Sequence, residues 1–246
     1  MKWWGKKDSS VFDYSVIGAD MHSHLLPGID DGAPDFDTSL KLIKGLSNLG
    51  FKKLVTTPHI MWDMYKNRRE EIIIACEKLR EHVNSKGIDI KLKAAAEYFL
   101  DDHVKQLLAN KEPLLTVHDN MVLVEFSMAS EPIDLKEILF EMQMQGYQPV
   151  IAHPERYLYH ERNKDFFEDL KISGYYFQLN IMSLAGTYGK APHDMARYFI
   201  KNQYYELAGT DLHNENHLSQ LQNSSITQGM KELLESGKLL NQQLLQ

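Results

Sequence analysis

The sequence predicts an α/β protein whose core is a parallel sheet covered by helices. Short β-rich apolar runs alternate with amphipathic helical patterns along the chain of 246 residues, and this alternation favours parallel strands over an antiparallel sheet. No Ser/Gly-rich linker or shift of composition divides the pattern, so a tail over 1–16 followed by one domain over 17–246 is expected. About seven strand–helix units in this length fit a small, irregular barrel better than an open sheet, although the pattern alone does not decide between them. In such barrels the chemistry sits in the loops at the C-terminal ends of the strands.

The first strand is expected over Ser15 to His24, running into the loop LLPGIDDG. Leu40, Ile43, Leu46 and Leu49 recur at three-residue spacing and predict a helix over Phe36 to Leu49, stopped by Gly50. Lys53 to Thr57 is a short strand halted at Pro58-His59, and a long charged helix is expected from about Asn67 to Ser85. KLKAAAEYF reads as one strand, followed by a short helix over Asp101 to Ala109 capped by Asp101 or Asp102. Asn120 to Phe126 is a buried-looking strand, Leu135 to Gln145 a helix, and Gln148 to Ala152 a strand ended by His153-Pro154. Lys164 to Ile172 is helical and Tyr175 to Asn180 extended, and Pro192 to Asn202 is a helix with proline at its start. Tyr204 to Gly209 is the last strand, with a C-terminal helix beyond Ser225.

Composition narrows the functional classes. A net charge of −7 argues against a nucleic-acid partner, which requires a basic face, and suits a site that concentrates carboxylates around cations. No apolar run approaches the length of about 18 residues that a membrane span needs. The single cysteine, Cys76, permits no intrachain disulfide, and MKWWGKKDSS lacks the apolar stretch of a secretory signal. A cytoplasmic protein is expected. Trp3-Trp4 among lysines is the one hint of peripheral contact with a membrane, and it reads more simply as a tail.

Eleven histidines is many for this length, and their placement is informative. His22 and His24 lie two residues apart on one strand, hence on one face and about 6–7 Å apart. Asp31 follows in the same loop; His59, Glu97, Glu125 and His153 close or follow later strands, and Asp211 and His213 follow the last. Singly, each has a plain structural reading: a loop histidine, an ion-pair partner, a helix cap. Together they would require a coincidence at equivalent places on six strands, and a carboxylate inside an apolar strand such as Glu125 is costly unless paired or metal-bound. Nine nitrogen and oxygen donors exceed the needs of one ion, and a set without thiolates suits Mn²⁺, Fe or Zn²⁺. Such a cluster activates water and clamps phosphate oxygens. Asp30 is left to tie the loop, and His82, His103, His118, His160, His193 and His217 lack partners in register.

The stretches DMHSHLLPGIDDG, TTPH, AEYF, LVEFS, IAHPERY and GTDLH, in this order, resemble the PHP (polymerase and histidinol phosphatase) superfamily. They resemble in particular its capsule-biosynthesis branch of manganese-dependent protein-tyrosine phosphatases. The resemblance implies a distorted (β/α)7 barrel with two or three divalent ions, Mn²⁺ first and Fe or Zn²⁺ as alternatives. His22, His24, Glu97 and Asp211 would hold one ion. Glu97 would bridge to a second, completed by Glu125 and His153, and Asp31, His59 and His213 would hold the third. Arg156 matches the arginine beside the phosphate. The implied reaction is attack of a metal-bridging hydroxide on a phosphotyrosine protein, a tyrosine kinase of capsule or exopolysaccharide synthesis. Oligomeric state and a general acid stay open. The rivals are a small-molecule phosphatase of the histidinol phosphate type and a non-catalytic, metal-stabilised binding protein at the membrane. Trp62, Tyr65, Tyr157 and Tyr159 would line a slot for the substrate ring or pack the loops. Arg68 and Arg69 read as a solvated helix face in preference to contacts with acidic residues flanking a substrate.

Overall fold

The computed structural model describes residues 11–246; Trp3-Trp4 lie outside them. The elements follow the expected alternation. β1 (Ala19–Asp20) leads to α1 (Phe36–Leu49), and β2 (Lys53–Thr56) and β3 (His59–Ile60) lead to α2 (Arg69–Ser85). β4 (Lys91–Ala94) and β5 (Glu97–Phe99) precede α3 (Asp102–Ala109), and β6 (Met121–Glu125) precedes α4 (Leu135–Met144). β7 (Gln148–Ala152) is followed by 3-10 turns and α5 (Asp165–Ile172), and β8 (Tyr176–Asn180) by a 3-10 turn and α6 (Lys190–Lys201). β9 (Tyr205–Gly209), α7 (Glu215–Gln220) and α8 (Ser225–Glu235) complete the order.

All strand pairings are parallel, in a three-stranded order β1-β2-β4 and a six-stranded order β3-β5-β6-β7-β8-β9. The two sheets are halves of one barrel. The second and third strand positions each break, at Thr57-Pro58 and at Ala95-Ala96, and pass from one sheet to the other. KLKAAAEYF is therefore two strands rather than one. The pair bends together, because Ala95 N–H still donates to Thr56 O at 2.8 Å and Glu97 N–H to Pro58 O at 3.1 Å. Proline at 58 offers no N–H to a flat ladder, which suits a break there.

Alternation along the strands sorts side chains between the barrel interior and the helical layer. On β6, Met121 and Leu123 join the inner cluster with Val55, Ala95, Val150, Ala152 and Leu207, while Val122 and Val124 face the helices. Glu125 continues the inward line and so arrives at the top of the barrel. The first strand is shorter than expected. Tyr14–Val16 is a 3-10 turn whose Ser15 N–H is capped by Asp13, and Gly18 (φ +72°) turns the chain into β1. Phe12 and Tyr14, assigned to the tail from sequence, are buried, and the Tyr14 hydroxyl donates to Leu221 O at 2.8 Å. On α6, Pro192 stands within the first turn rather than at its first residue, where N–H groups have no intrahelical acceptor to lose.

β1 and β9 close the barrel without a regular ladder. Near the site, Asp211 N–H donates to His22 O at 2.7 Å and His24 N–H to Leu212 O at 2.9 Å. Below them Thr210 donates to the buried Asp20 carboxylate through both N–H (2.9 Å) and hydroxyl (2.6 Å). At the bottom the strands are bridged by one side chain from the C-terminal 3-10 turn, Asn241–Leu245. The Asn241 amide donates to Ala19 O (2.9 Å) and Ala208 O (2.7 Å) and accepts from Ala208 N–H (2.9 Å). Asn241→Leu leaves these buried backbone groups unpaired, at about 1–3 kcal/mol each. A loss of about 3 kcal/mol is expected, read as a melting temperature lower by roughly 6–12 °C; an unchanged melting temperature would show that the bridge is dispensable.

Candidate metal centre

Nine side chains converge at the C-terminal end of the barrel. Donor atoms of His24, Asp31, His59 and His213 lie within 4.8 Å of one another, as do those of His22, His24 and Asp211, of His22, Glu97 and His153, and of His59, Glu97 and Glu125. These overlapping groups contain all nine residues expected from the sequence, brought together in one cleft. None of the other six histidines belongs to them.

Glu97 is the centre of the arrangement and fully buried. Its Oε1 meets His153 Nε2 at 3.1 Å, while Oε2 meets His22 Nε2 at 3.1 Å, His24 Nε2 at 3.5 Å and His59 Nδ1 at 3.3 Å. The two oxygens thus address different sets of donors. Burial, which would raise its pKa, is outweighed by His22 and the hydrogen bonds from the surrounding imidazoles, so the carboxyl titrates well below the usual range.

The histidines are held by groups behind them. His22 Nδ1 donates to Gln178 Oε1 at 3.0 Å, His24 Nδ1 to Asp30 Oδ2 at 2.8 Å, and His213 Nδ1 to the Asp211 carbonyl at 2.8 Å. Each of these bonds fixes the tautomer and directs the Nε2 lone pair into the cleft. Asp30 does more than tie the loop: besides orienting His24 it accepts from Gly32 N–H (2.9 Å) and His59 N–H (3.2 Å). Glycine is required at position 32, since a Cβ there would stand 2.2 Å from His24 O.

This geometry suits bound cations. His22 Nε2 and His24 Nε2 approach to 3.3 Å, with Asp211 Oδ1 3.4–3.5 Å from both. Two lone pairs so close repel unless a proton or metal ion lies between them. His59 Nδ1 and Glu125 Oε1, 3.0 Å apart, are buried with no well-directed hydrogen bond, and His153 Nδ1 is likewise without one among the described residues. Two of the nine stand in the left-handed backbone region, His153 (φ +34°) and Asp211 (φ +50°), a strain held in place by the surrounding structure.

Arg156 lies at the edge of the cleft, its Nη1 3.2 Å from Asp211 Oδ2 and its guanidinium 4.6 Å from the centroid of the Tyr188 ring. Asn180 Nδ2 donates to the same Asp211 oxygen at 2.8 Å and lies 3.0 Å from the Tyr188 hydroxyl. Sequence reasoning missed Gln178, Asn180 and Tyr188, neutral groups on β8 and its loop with no spacing signal of their own. Of the four aromatics considered for a substrate slot, only Tyr65 borders the cleft, stacked on His59 at 5.5 Å. Tyr157 is fully buried against Phe126 at 3.8 Å, Tyr159 donates to Ser127 O, and Trp62 stacks on His103 beside a neighbouring cavity.

Two outcomes follow for metal binding. Burial pushes the His22 imidazole down, but Glu97 and Asp211 outweigh it and raise its pKa to about 9. The metal-free centre therefore carries a proton on His22 at pH 7 that binding must displace. Despite its burial, His24 is likewise held protonated by Asp30 and Asp211, so affinity is expected to climb as pH rises from 6 to 9, by up to roughly tenfold per unit for each proton released. Calorimetric titration at pH 6, 7.5 and 9 reads this, and a flat profile would refute it. Asp30→Asn, which keeps an acceptor for Gly32 but removes the charge behind His24, is expected to weaken metal binding about tenfold with the fold retained by circular dichroism.

Comparison with known proteins shows the family and the fold. Residues 18–233 match the family described as capsular polysaccharide synthesis, CpsB/CapC. The tyrosine-protein phosphatase YwqE of Bacillus subtilis is 29% identical over 196 residues, covering 79% of this chain and 77% of its own. The tyrosine-protein phosphatase CpsB of Streptococcus agalactiae is 29% identical over 202 residues, covering 79% and 82%. Among solved structures, one matches at a TM-score of 0.78 and 28% identity, covering 88% of this chain and 86% of the other. It comes from work on YwqE of Bacillus subtilis and CpsB of Streptococcus pneumoniae, described as unique metal-dependent tyrosine phosphatases. By sequence and by the barrel that presents these donors, the chain belongs to the CpsB/CapC family of capsular polysaccharide synthesis.

Proposed function

We propose that this protein is a divalent-metal-dependent phosphatase that hydrolyses phosphotyrosine in proteins. The observation that carries the reading is the convergence of nine histidine and carboxylate donors on one cleft with a guanidinium at its edge, in a chain whose relatives are named tyrosine-protein phosphatases. His22, His24, Glu97 and Asp211 would hold one ion, Glu97, Glu125 and His153 a second, and Asp31, His59 and His213 a third. The donor set, all nitrogen and oxygen, favours Mn²⁺ over a thiolate-preferring metal. Such ions, when bound, supply a hydroxide nucleophile at neutral pH and neutralise phosphate charge.

The chain's own groups do the rest. Arg156 offers a planar, permanently charged donor to a phosphate oxygen, and Tyr188 and Asp211 hold it in place. The cleft, about 410 Å³, has room for one phosphorylated side chain. Met61, Met64, Tyr65 and Met128 border it and present apolar surface to an aromatic ring. A tyrosine leaving group needs little protonation, its pKa being only about 10, so no general acid is demanded. Cys76 takes no part: it is buried on α2, outside the cleft, and burial raises its thiol pKa to about 11. The substrate we propose is a bacterial tyrosine kinase of polysaccharide synthesis, met in the cytoplasm. Among the described residues, no helix is long and apolar enough to cross a membrane.

Protein loaded with Mn²⁺ is expected to dephosphorylate a phosphotyrosine peptide faster than a phosphoserine peptide or histidinol phosphate. A preference for histidinol phosphate would overturn the substrate assignment, and no turnover with any divalent metal would overturn the enzymatic one. Arg156→Ala is expected to lower kcat about 10²–10³-fold, the cost typical of a lost charge-stabilising donor, with metal content unchanged. Loss of metal in that variant would reassign the arginine to holding Asp211. Cys76→Ser is expected to retain near-normal activity, and inactivation would point to thiol chemistry instead.

A further inference from the structure

A second cavity, about 400 Å³, lies beside the metal cleft between the start of α2 and the length of α3, reaching from His103 to Asn110, Glu112 and Pro113. In a parallel β/α barrel the helices begin where the strands end, so the wall formed by Trp62, Arg68 and Arg69 lies at the same end of the molecule as the centre. β3 and the turn after it divide the two spaces. His59, Met61, Met64 and Tyr65 border the cleft, whereas Ile60 and Trp62 line the cavity. Trp62 and the His103 ring stack at 3.8 Å with their planes 16° apart, forming a flat platform, and Tyr98 and Leu107 add to the lining.

Arg68 and Arg69 also line the cavity; Arg68 is exposed, in keeping with a solvated helix face, and Arg69 is half-buried. The Arg69 side chain is only 40% exposed, and its one ion-pair contact is with Glu70, itself 72% exposed, at 3.4 Å. Its Nε is buried and has no hydrogen-bond partner among the described residues. Arg68 ion-pairs with no carboxylate among the described residues, and its own N–H donates to Glu71 Oε2 at 3.0 Å. Glu70 and Glu112 reach the same wall, but neither satisfies the buried Arg69 donor.

We infer that this cavity binds acidic residues flanking the phosphotyrosine of a protein substrate. The inference rests on the phosphatase reading above and assigns its specificity. The chain carries a net charge of −7, so an acidic polypeptide meets repulsion over most of the surface. Two adjacent guanidiniums next to the centre give it a local point of attachment. A carboxylate in the cavity meets the half-exposed guanidinium of Arg69 and that of Arg68 beside it, and guanidinium binds carboxylate as a planar fork. The start of the 17-residue α2 adds partial positive charge at the same place. The Trp62–His103 platform gives the side-chain stem of a Glu an apolar surface to lie on. A substrate chain would cross the Met61–Tyr65 turn, with the phosphotyrosine on one side and its acidic neighbours on the other.

Three substrates test this with the metal-loaded protein: a phosphotyrosine peptide flanked by Glu, the same peptide with Gln in place of Glu, and p-nitrophenyl phosphate, which has no flanks. The Glu peptide is expected to show a KM about tenfold lower than the Gln peptide. The double variant Arg68→Gln/Arg69→Gln should abolish that difference while changing kcat/KM for p-nitrophenyl phosphate less than twofold. Equal KM values for the two peptides, or a preference that survives the double variant, overturns the inference. Absence of turnover even on p-nitrophenyl phosphate would instead sink the phosphatase reading. The cavity is then judged by fluorescence anisotropy of a labelled, unphosphorylated Glu-rich peptide. Binding weakened about tenfold in the double variant supports the cavity, and no binding or unweakened binding refutes it.

Discussion

A carboxylate with no exposed surface, Glu97, is the constraint around which this barrel is arranged. An isolated buried charge is strongly disfavoured, and the fold resolves the cost by turning three imidazoles toward one of its oxygens and a fourth toward the other. Two of those imidazoles, His22 and His24, are in turn fixed from behind by Gln178 and Asp30. The break at Ala95-Ala96 is what carries Glu97 from the small sheet into the large one, where it faces His153 across the barrel mouth. A rearrangement at any of these points would leave a charge without a partner.

How far the sequence disclosed this depends on the kind of signal each residue carries. The nine candidate donors were legible because they stand at or just beyond strand ends, where a polar or charged side chain interrupts an apolar run, and Asp31, His59 and His153 also adjoin Gly or Pro. The α1 and β7 boundaries were legible because periodicity and a Gly or His-Pro stop coincide. The double break that splits the barrel into two sheets was not, since Ala95-Ala96 has the same apolar character as the strand around it. Gln178 and Asn180 were missed for a related reason: a neutral amide inside a strand looks like an ordinary half-buried residue. Tyr157 shows the opposite failure. Its position beside HPER suggested a slot, yet only the packing against Phe126 reveals that it is core. Whether Arg69 meets solvent depended on where α3 lies, which helical periodicity in α2 does not contain.

The strained residues have a definite geometric role. Along β7 the side chains of Val150 and Ala152 face the interior and Ile151 the helices, so by alternation the residue after Ala152 should face outward. The positive φ of His153 reverses this and delivers its ring to Glu97. Proline follows at once, starting the turn that places Arg156 within reach of Asp211. The fully buried Glu155 holds this turn down, accepting from Asn180 N–H, Ser183 and Tyr205. Within HPER, then, one residue points into the centre, one bends the chain, one anchors it beneath, and one reaches across.

The Asn241 bridge sets an order of events during biosynthesis. A ribosome releases His22 first and His213 much later, and by then every donor of the centre has been made. The strands carrying His22 and Asp211 nevertheless remain unjoined at their base until Asn241 emerges and its amide spans Ala19 and Ala208. All nine candidate donors thus precede in the chain the residue that closes the barrel beneath them. Closure at the base of the barrel is therefore a late step, made by a side chain far in sequence from the strand it ties down.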